Sequence, residues 1–138
     1  MVPRMPCDYE FNLDRRWLRC RAWGVVTFAE GMANRERFTS DPSFSPDFDQ
    51  IYDGRDVTRV AITASETGIL ARDAVFSAKS RRAFVAPRTD TYSFARTFQL
   101  YRQINAGKEN IRLFRTVEDA EAWLTGLADS PIMIPPFE

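Results

Sequence analysis

The stretch RAFVAPRTDTYSFARTFQLYRQINAGKENIRLF, residues 82–114, holds two short apolar segments on either side of a long amphipathic one. Residues 82–86 and 111–114 predict strands, and residues 91–105 between them predict a helix that Gly107 ends. Two apolar strands joined by a helix are typical of a parallel pair with a right-handed crossover. This unit therefore indicates an α/β fold.

Two capping boxes mark helix starts upstream of this unit. Thr27 is followed three residues later by Glu30, and Thr63 by Glu66. In such a pair the hydroxyl accepts a free helix N–H while the carboxylate reaches back to the cap. The helices are predicted to run to about residue 38 and to about residue 78, the second with small apolar residues on one face.

Strands are predicted in the gaps between these helices. Residues 9–13 and 17–26 predict an antiparallel pair because side chains in the second alternate with a period of two, and Gly24 opens a turn near its end. Residues 50–52 predict a short third strand that ends at Asp53-Gly54. Thr116 is predicted to begin the last helix.

The predicted element order is β-β-α-β-α-β-α-β-α. It specifies an α/β fold with a mixed, mainly parallel sheet and helices packed on it. Strands near Tyr52, Phe84 and Leu113 are expected to be parallel and central. The 138 residues fit one domain, 1–138, with a core of about 9–126 and an extended C-terminal tail, 127–138.

The tail combines apolar residues with prolines that forbid a helix. Leaving four apolar side chains in water forgoes about 1.5–3 kcal/mol each relative to burial, so the tail is expected to dock. We expect it to cross to a second copy in a homodimer; folding back over its own domain is the alternative. The four side chains are Ile132, Met133, Ile134 and Phe137.

Composition argues against several classes of function. The 19 basic and 19 acidic residues give zero net charge, so nucleic acid is not an expected partner. The absence of histidine removes histidine-based triads, histidine-centred zinc sites and histidine pH switches, and neither a metal nor a cofactor is expected. Cys7 and Cys20 favour reduced thiols over a disulfide. No membrane span or signal core is found, which predicts a cytoplasmic protein.

Polar residues follow the predicted parallel strands, where open α/β sheets commonly bind ligands. The candidate ligand-binding residues of this rim are Asp53, Arg55, Ser65, Arg88, Tyr92 and Arg115. Arginines near helix N-termini suit an anion or a small acid. The alternative is that the arginines and aspartates pair as ordinary surface ion pairs. An apolar cavity between helix and sheet is a separate possibility.

Several segments together resemble the SpoIIAA-like branch of the STAS superfamily, the fold of anti-sigma-factor antagonists and sulfate-transporter domains. The resemblance covers about residues 9–126. The segments are Gly24-Val25-Val26-Thr27, residues 41–46, residues 52–57, residues 82–86, residues 94–98, residues 113–116 and residues 121–124.

The resemblance implies a non-enzymatic binding or regulatory module that acts through contact with a protein partner. Members of the family switch partners by phosphorylation of a serine in an Asp-Ser-Ser-Gly motif, which this chain lacks. Thr63 and Ser65 stand nearest to that position, but Thr63 is expected to serve as a helix cap. A carrier or sensor of a small apolar or acidic molecule is the alternative function, and an unrecognised enzyme is a third.

Overall fold

The computed structural model describes residues 6–106 and 110–126. Their elements follow the predicted order, which confirms the α/β class. The strands are β1 (Cys7–Asn12), β2 (Trp17–Thr27), β3 (Asp49–Ala61), β4 (Arg81–Val85) and β5 (Asn110–Phe114). The helices are α1 (Phe28–Thr39), α2 (Ala64–Leu70), α3 (Thr89–Ala106) and α4 (Val117–Leu124).

The five strands form one sheet in the order β1-β2-β3-β4-β5. The β1–β2 pair is antiparallel, as predicted, and the other three pairs are parallel. The expected parallel alignment near Tyr52, Phe84 and Leu113 is therefore confirmed. The expectation that all three strands are central is wrong for β5, which forms an edge of the sheet.

Helices cover both faces of the sheet, because alternate residues of a strand point to opposite sides. Phe84 packs with Phe98 of α3, and Leu18 packs with Phe38 of α1. Ala83 instead packs with Trp123 of α4. Helices α1, α2 and α3 thus share one face, whereas α4 lies on the other.

Both predicted capping boxes are confirmed. The Thr27 and Thr63 hydroxyls accept hydrogen bonds from the backbone N–H groups of Glu30 and Glu66, and each glutamate accepts from its cap in return. Thr116 caps α4 by accepting a hydrogen bond from the Asp119 N–H. Local sequence therefore fixes where three of these helices begin.

Strand β3 is much longer than predicted and runs through Asp53-Gly54 to Ala61. The aspartate–glycine pair suggests a turn, but a different requirement explains this glycine. A Cβ atom at Gly54 would lie 3.0 Å from the Val85 carbonyl oxygen, so a larger residue would press on the backbone of β4 at this close approach. Gly24, predicted to open a turn, has φ +66° at an irregularity inside β2, and the strand continues past it.

Helix α2 is shorter than predicted and ends at Leu70 rather than near residue 78. The chain then turns and places Phe76 in the cluster that contains Leu18, Cys20 and Phe38. Phe44, in the loop between α1 and β3, contacts both Phe38 and Phe76 and so anchors that loop to the same cluster. The tail and its predicted docking lie outside the described residues.

Candidate functional site

The predicted strand-end rim brings Asp53 and Arg55 together. Asp53 is buried, and its two oxygens accept hydrogen bonds from Arg55 Nε at 2.9 Å and Nη2 at 2.8 Å. Burial raises the pKa of the Asp53 carboxyl, but the hydrogen bonds and charge of Arg55 outweigh it, and the pKa lies below its ordinary value. The Arg55 guanidinium thus forms an ion pair with Asp53, as the alternative interpretation of this rim predicts.

The ends of β4 and β5 lie beside this pair, since Asp53 pairs with Val85 and Val85 with Phe114. Strand β3 continues for eight residues beyond its last pairing with β4, at Asp53–Val85. This extension separates Asp53 from α2 along the chain, and Ser65 lies exposed in the first turn of α2. Tyr92 packs in the cluster of α2 and α3, on the opposite face of the sheet.

The two remaining rim arginines are exposed. Arg88 immediately precedes α3, and its backbone carbonyl accepts the Thr91 hydroxyl at 3.0 Å. Arg115 immediately precedes Thr116, the cap of α4. The structure therefore brings Asp53 and Arg55 together, and the grouping of all six candidate residues in one site stays a prediction.

A cavity that sequence reasoning raised only as a possibility lies between the sheet and helices α1, α2 and α3. Its volume is about 100 Å³. One wall is a row of aromatic rings: Tyr52 stacks on Phe84 with centroids 5.6 Å apart, Phe84 on Phe98 at 5.7 Å, and Phe94 lies 6.3 Å from Phe98. Gly31 of α1 forms part of the opposite wall.

Polar side chains interrupt this apolar lining at one end. Arg82 is buried, with its guanidinium carbon 4.4 Å from the centroid of the Phe76 ring and 5.3 Å from that of Phe98. Its Nε donates to Gln50 Oε1 at 3.0 Å, and Gln50 Nε2 contacts Cys20 Sγ at 3.4 Å. Both polar groups are therefore held in fixed orientations beside the cavity.

Helix α2 closes the outer side of the cavity and is held at its C-terminal end. Arg35 of α1 donates from Nη1 to the Leu70 carbonyl at 2.6 Å. Arg102 and Asn105 of α3 donate to the Ala71 carbonyl at 2.6 and 3.2 Å. These cationic and amide donors satisfy carbonyls that a helix end leaves unpaired. These contacts from α1 and α3 explain why α2 ends at Leu70, although the sequence pattern predicts a helix to about residue 78.

Polar residues within apolar segments are the sequence signal that could have indicated this cavity. Asn34, Gln50 and Arg82 are buried polar residues on segments whose inward neighbours are apolar. Buried polar groups require partners, so such positions mark an interior that is not purely hydrophobic. The periodicity of apolar residues cannot by itself show that a space remains between the sheet and the helices that cover it.

Two thiols lie beneath α1 on the same face. Cys7 and Cys20 are buried and free. Burial is the largest cause that raises the pKa of Cys7 to about 11 and that of Cys20 to about 12. Burial also raises the pKa of the Tyr52 hydroxyl far above its ordinary value. None of these groups is ionised at neutral pH.

The raised thiol pKa values predict alkaline destabilisation. The unfolded thiols ionise near pH 9 while the folded ones stay protonated, so the free energy of unfolding should fall between about pH 9 and 11. Urea unfolding at pH 7 to 11 would measure the slope. A Cys7→Ala, Cys20→Ala variant should show a smaller fall over that window, and an equal fall would contradict this assignment.

No helix among residues 6–106 and 110–126 is long and apolar enough to cross a membrane. The same described residues contain no cluster of acidic, cysteine or histidine side chains that could hold a metal ion. Comparisons with protein-family models, curated proteins and solved structures find no match to this chain.

Proposed function

We propose that this protein is a non-enzymatic binding module that carries or senses a small, largely apolar molecule in the cavity between its sheet and helices α1, α2 and α3. The observation that carries the proposal is the aromatic-walled cavity, with fixed polar groups at one end. Ligand sites in proteins are typically concave and apolar, with a few placed polar groups. A volume of about 100 Å³ restricts the occupant to a small molecule or to the end of a longer one.

The lining groups suit binding better than catalysis. Arginine, asparagine and glutamine side chains orient a ligand, but none is a nucleophile or general base at neutral pH. The lining tyrosine, Tyr52, has a pKa raised by burial and therefore cannot accept a proton as phenolate. The proposal keeps the expectation that the protein is not an enzyme.

Filling the cavity from Gly31 tests the proposal. A Cβ atom at Gly31 would meet nothing within 4 Å, so Gly31→Leu should project its side chain into open space. Replacing a helix glycine gains about 0.5–1 kcal/mol of helix propensity, so the variant should fold at least as well as the parent. Xenon, which enters apolar cavities, should shift amide NMR signals of Phe94 and Phe98 in the parent and not in Gly31→Leu.

The matched control is Gly68→Ala, a second helix glycine that does not line the cavity. It should keep the xenon response of the parent. Native mass spectrometry of the freshly purified chain should also show a bound small molecule that Gly31→Leu lacks. If xenon does not shift the amide NMR signals of Phe94 and Phe98 in the parent protein, the proposal is wrong.

Protein–protein contact is the second candidate function, and an uncovered part of the sheet favours it. Helix α4 packs on β3, β4 and β5. The side chains of Asp8, Glu10, Arg21 and Val25 on β1 and β2 are exposed. The family resemblance adds to this candidate, and we propose STAS-like membership on those sequence segments alone. Sedimentation of the full chain over a range of concentrations tests the homodimer, which a monomer throughout would exclude.

A further inference from the structure

The charges around the cavity are all of one sign. Among the described residues that line it, the ionisable cations are Arg35 and Arg82, and no aspartate or glutamate is present. A cavity with two guanidinium groups and no carboxylate in its wall favours an anion over a neutral or cationic guest.

Arg35 has hydrogen-bonding capacity left at the cavity wall. It is half-buried, and its two observed hydrogen bonds go to the Leu70 carbonyl at 2.6 Å and to the weak acceptor Met32 Sδ at 3.3 Å. A guanidinium carries five N–H donors. Arg35 forms no ion pair with a carboxylate of the described residues. Burial is the largest cause that lowers the pKa of Arg35, and the attraction of Asp73 offsets it only in part.

Asn34, the neighbouring residue of α1, supplies a second donor. It is only 3% exposed and lines the cavity. Its Oδ1 accepts a hydrogen bond from Arg37 Nη2 at 2.6 Å, which fixes the amide orientation. Its Nδ2 has no hydrogen-bond partner among the described residues. This amide nitrogen is therefore a hydrogen-bond donor that a ligand can use.

We infer that the ligand is a short aliphatic monocarboxylate whose carboxylate binds Asn34 and Arg35 while its apolar body lies against the aromatic row of Phe84, Phe94 and Phe98. This inference rests on the proposed function. Two adjacent donors match the two oxygens of one carboxylate. An engineered cavity of about 150 Å³ holds the six carbons of benzene, so about 100 Å³ suits an apolar body of about four carbons.

Pentanoate and pentan-1-ol are matched probes, since they share one chain length and differ in charge. Isothermal titration on the full chain should show pentanoate binding at least about tenfold more tightly, because charge-assisted hydrogen bonds are the stronger ones. Asn34→Asp places a negative charge at the proposed carboxylate position. It should weaken pentanoate by at least about tenfold and change pentan-1-ol by less than about threefold.

Arg35→Met is the second variant, in case Asn34→Asp does not fold. It keeps an apolar stem and should remove most of the preference for pentanoate, whereas Arg35→Lys should retain part of it. The matched control is Arg59→Met, which deletes an exposed arginine of β3 that does not line the cavity. It should leave both affinities unchanged, since solvent screens the charge of an exposed side chain.

The outcomes separate the inference from the proposed function. Equal affinities for the two probes, or an Asn34→Asp variant that binds pentanoate as the parent does, would overturn the carboxylate assignment while the cavity remains a binding site. If neither probe binds and xenon also leaves the lining signals unmoved, the proposed function fails with it. Tight pentanoate binding that Arg35→Met and Asn34→Asp both abolish would support both.

Discussion

Replacing Trp123 with alanine is expected to lower the free energy of unfolding by about 3–5 kcal/mol. Trp123 is buried, and its ring lies 5.6 Å from that of Phe114. The guanidinium groups of Arg81 and Arg112 lie 5.8 and 5.3 Å from its centroid. Because α4 is the helix that covers this face of the sheet in the described chain, losing its main anchor exposes the core residues beneath.

Urea unfolding followed by circular dichroism measures this loss. The matched control is Trp23→Ala, since Trp23 is also a tryptophan beside an arginine, 5.2 Å from Arg21, but is only half-buried. It should cost about 1 kcal/mol or less, the usual scale of a change outside the core. A Trp123→Ala loss no larger than that of the control would mean that α4 is not held to the sheet by this ring.

Replacing Arg82 with alanine is expected to cost about 3–5 kcal/mol, although arginine is the residue that a simple view would place on the surface. Its guanidinium lies within 4.4 to 5.6 Å of the centroids of Phe76, Phe84 and Phe98. Truncation removes this packing and the hydrogen bond that Arg82 Nε donates to Gln50 Oε1. An unsatisfied buried amide oxygen adds its own penalty.

Arg82→Met separates the two contributions. Methionine fills much of the arginine volume and removes a buried charge, and replacing buried charges by apolar groups of similar size is often tolerated. We therefore expect Arg82→Met to lose less than half of what Arg82→Ala loses in the same urea assay. Equal losses would show that the charge and its hydrogen bonds, rather than the packing, stabilise this region.

Local signals were enough to predict the element order of the fold. The hydroxyl of Thr63 and the carboxylate of Glu66 are three residues apart, and that spacing alone specifies a helix start. Residues 83–86 are apolar throughout, which is typical of parallel strands buried on both faces. These properties depend on a few neighbouring residues, so no tertiary information was needed.

The ends of β3 and α2 depend on contacts that the sequence does not display. In the sequence, Asp53-Gly54 indicates a turn. The structure shows instead that Gly54 lies within β3, close to the Val85 carbonyl of β4. Helix α2 could have continued beyond Leu70, but Arg35 and Arg102 reach from other helices to the carbonyls at its end.

The strand order has a consequence for the growing chain on the ribosome. Every strand lies beside the one made just before it, so no strand has to be inserted between two that are already paired. Chains that begin to fold during synthesis can therefore extend this sheet at one edge, in the direction of translation. The face containing Ile51, Ala83 and Val85 is the exception, because α4, its cover, is made after all five strands. Until Trp123 leaves the ribosome, that apolar face is exposed and can contact other nascent chains. Synthesis of α4 therefore completes the burial of this face and removes a site of aggregation.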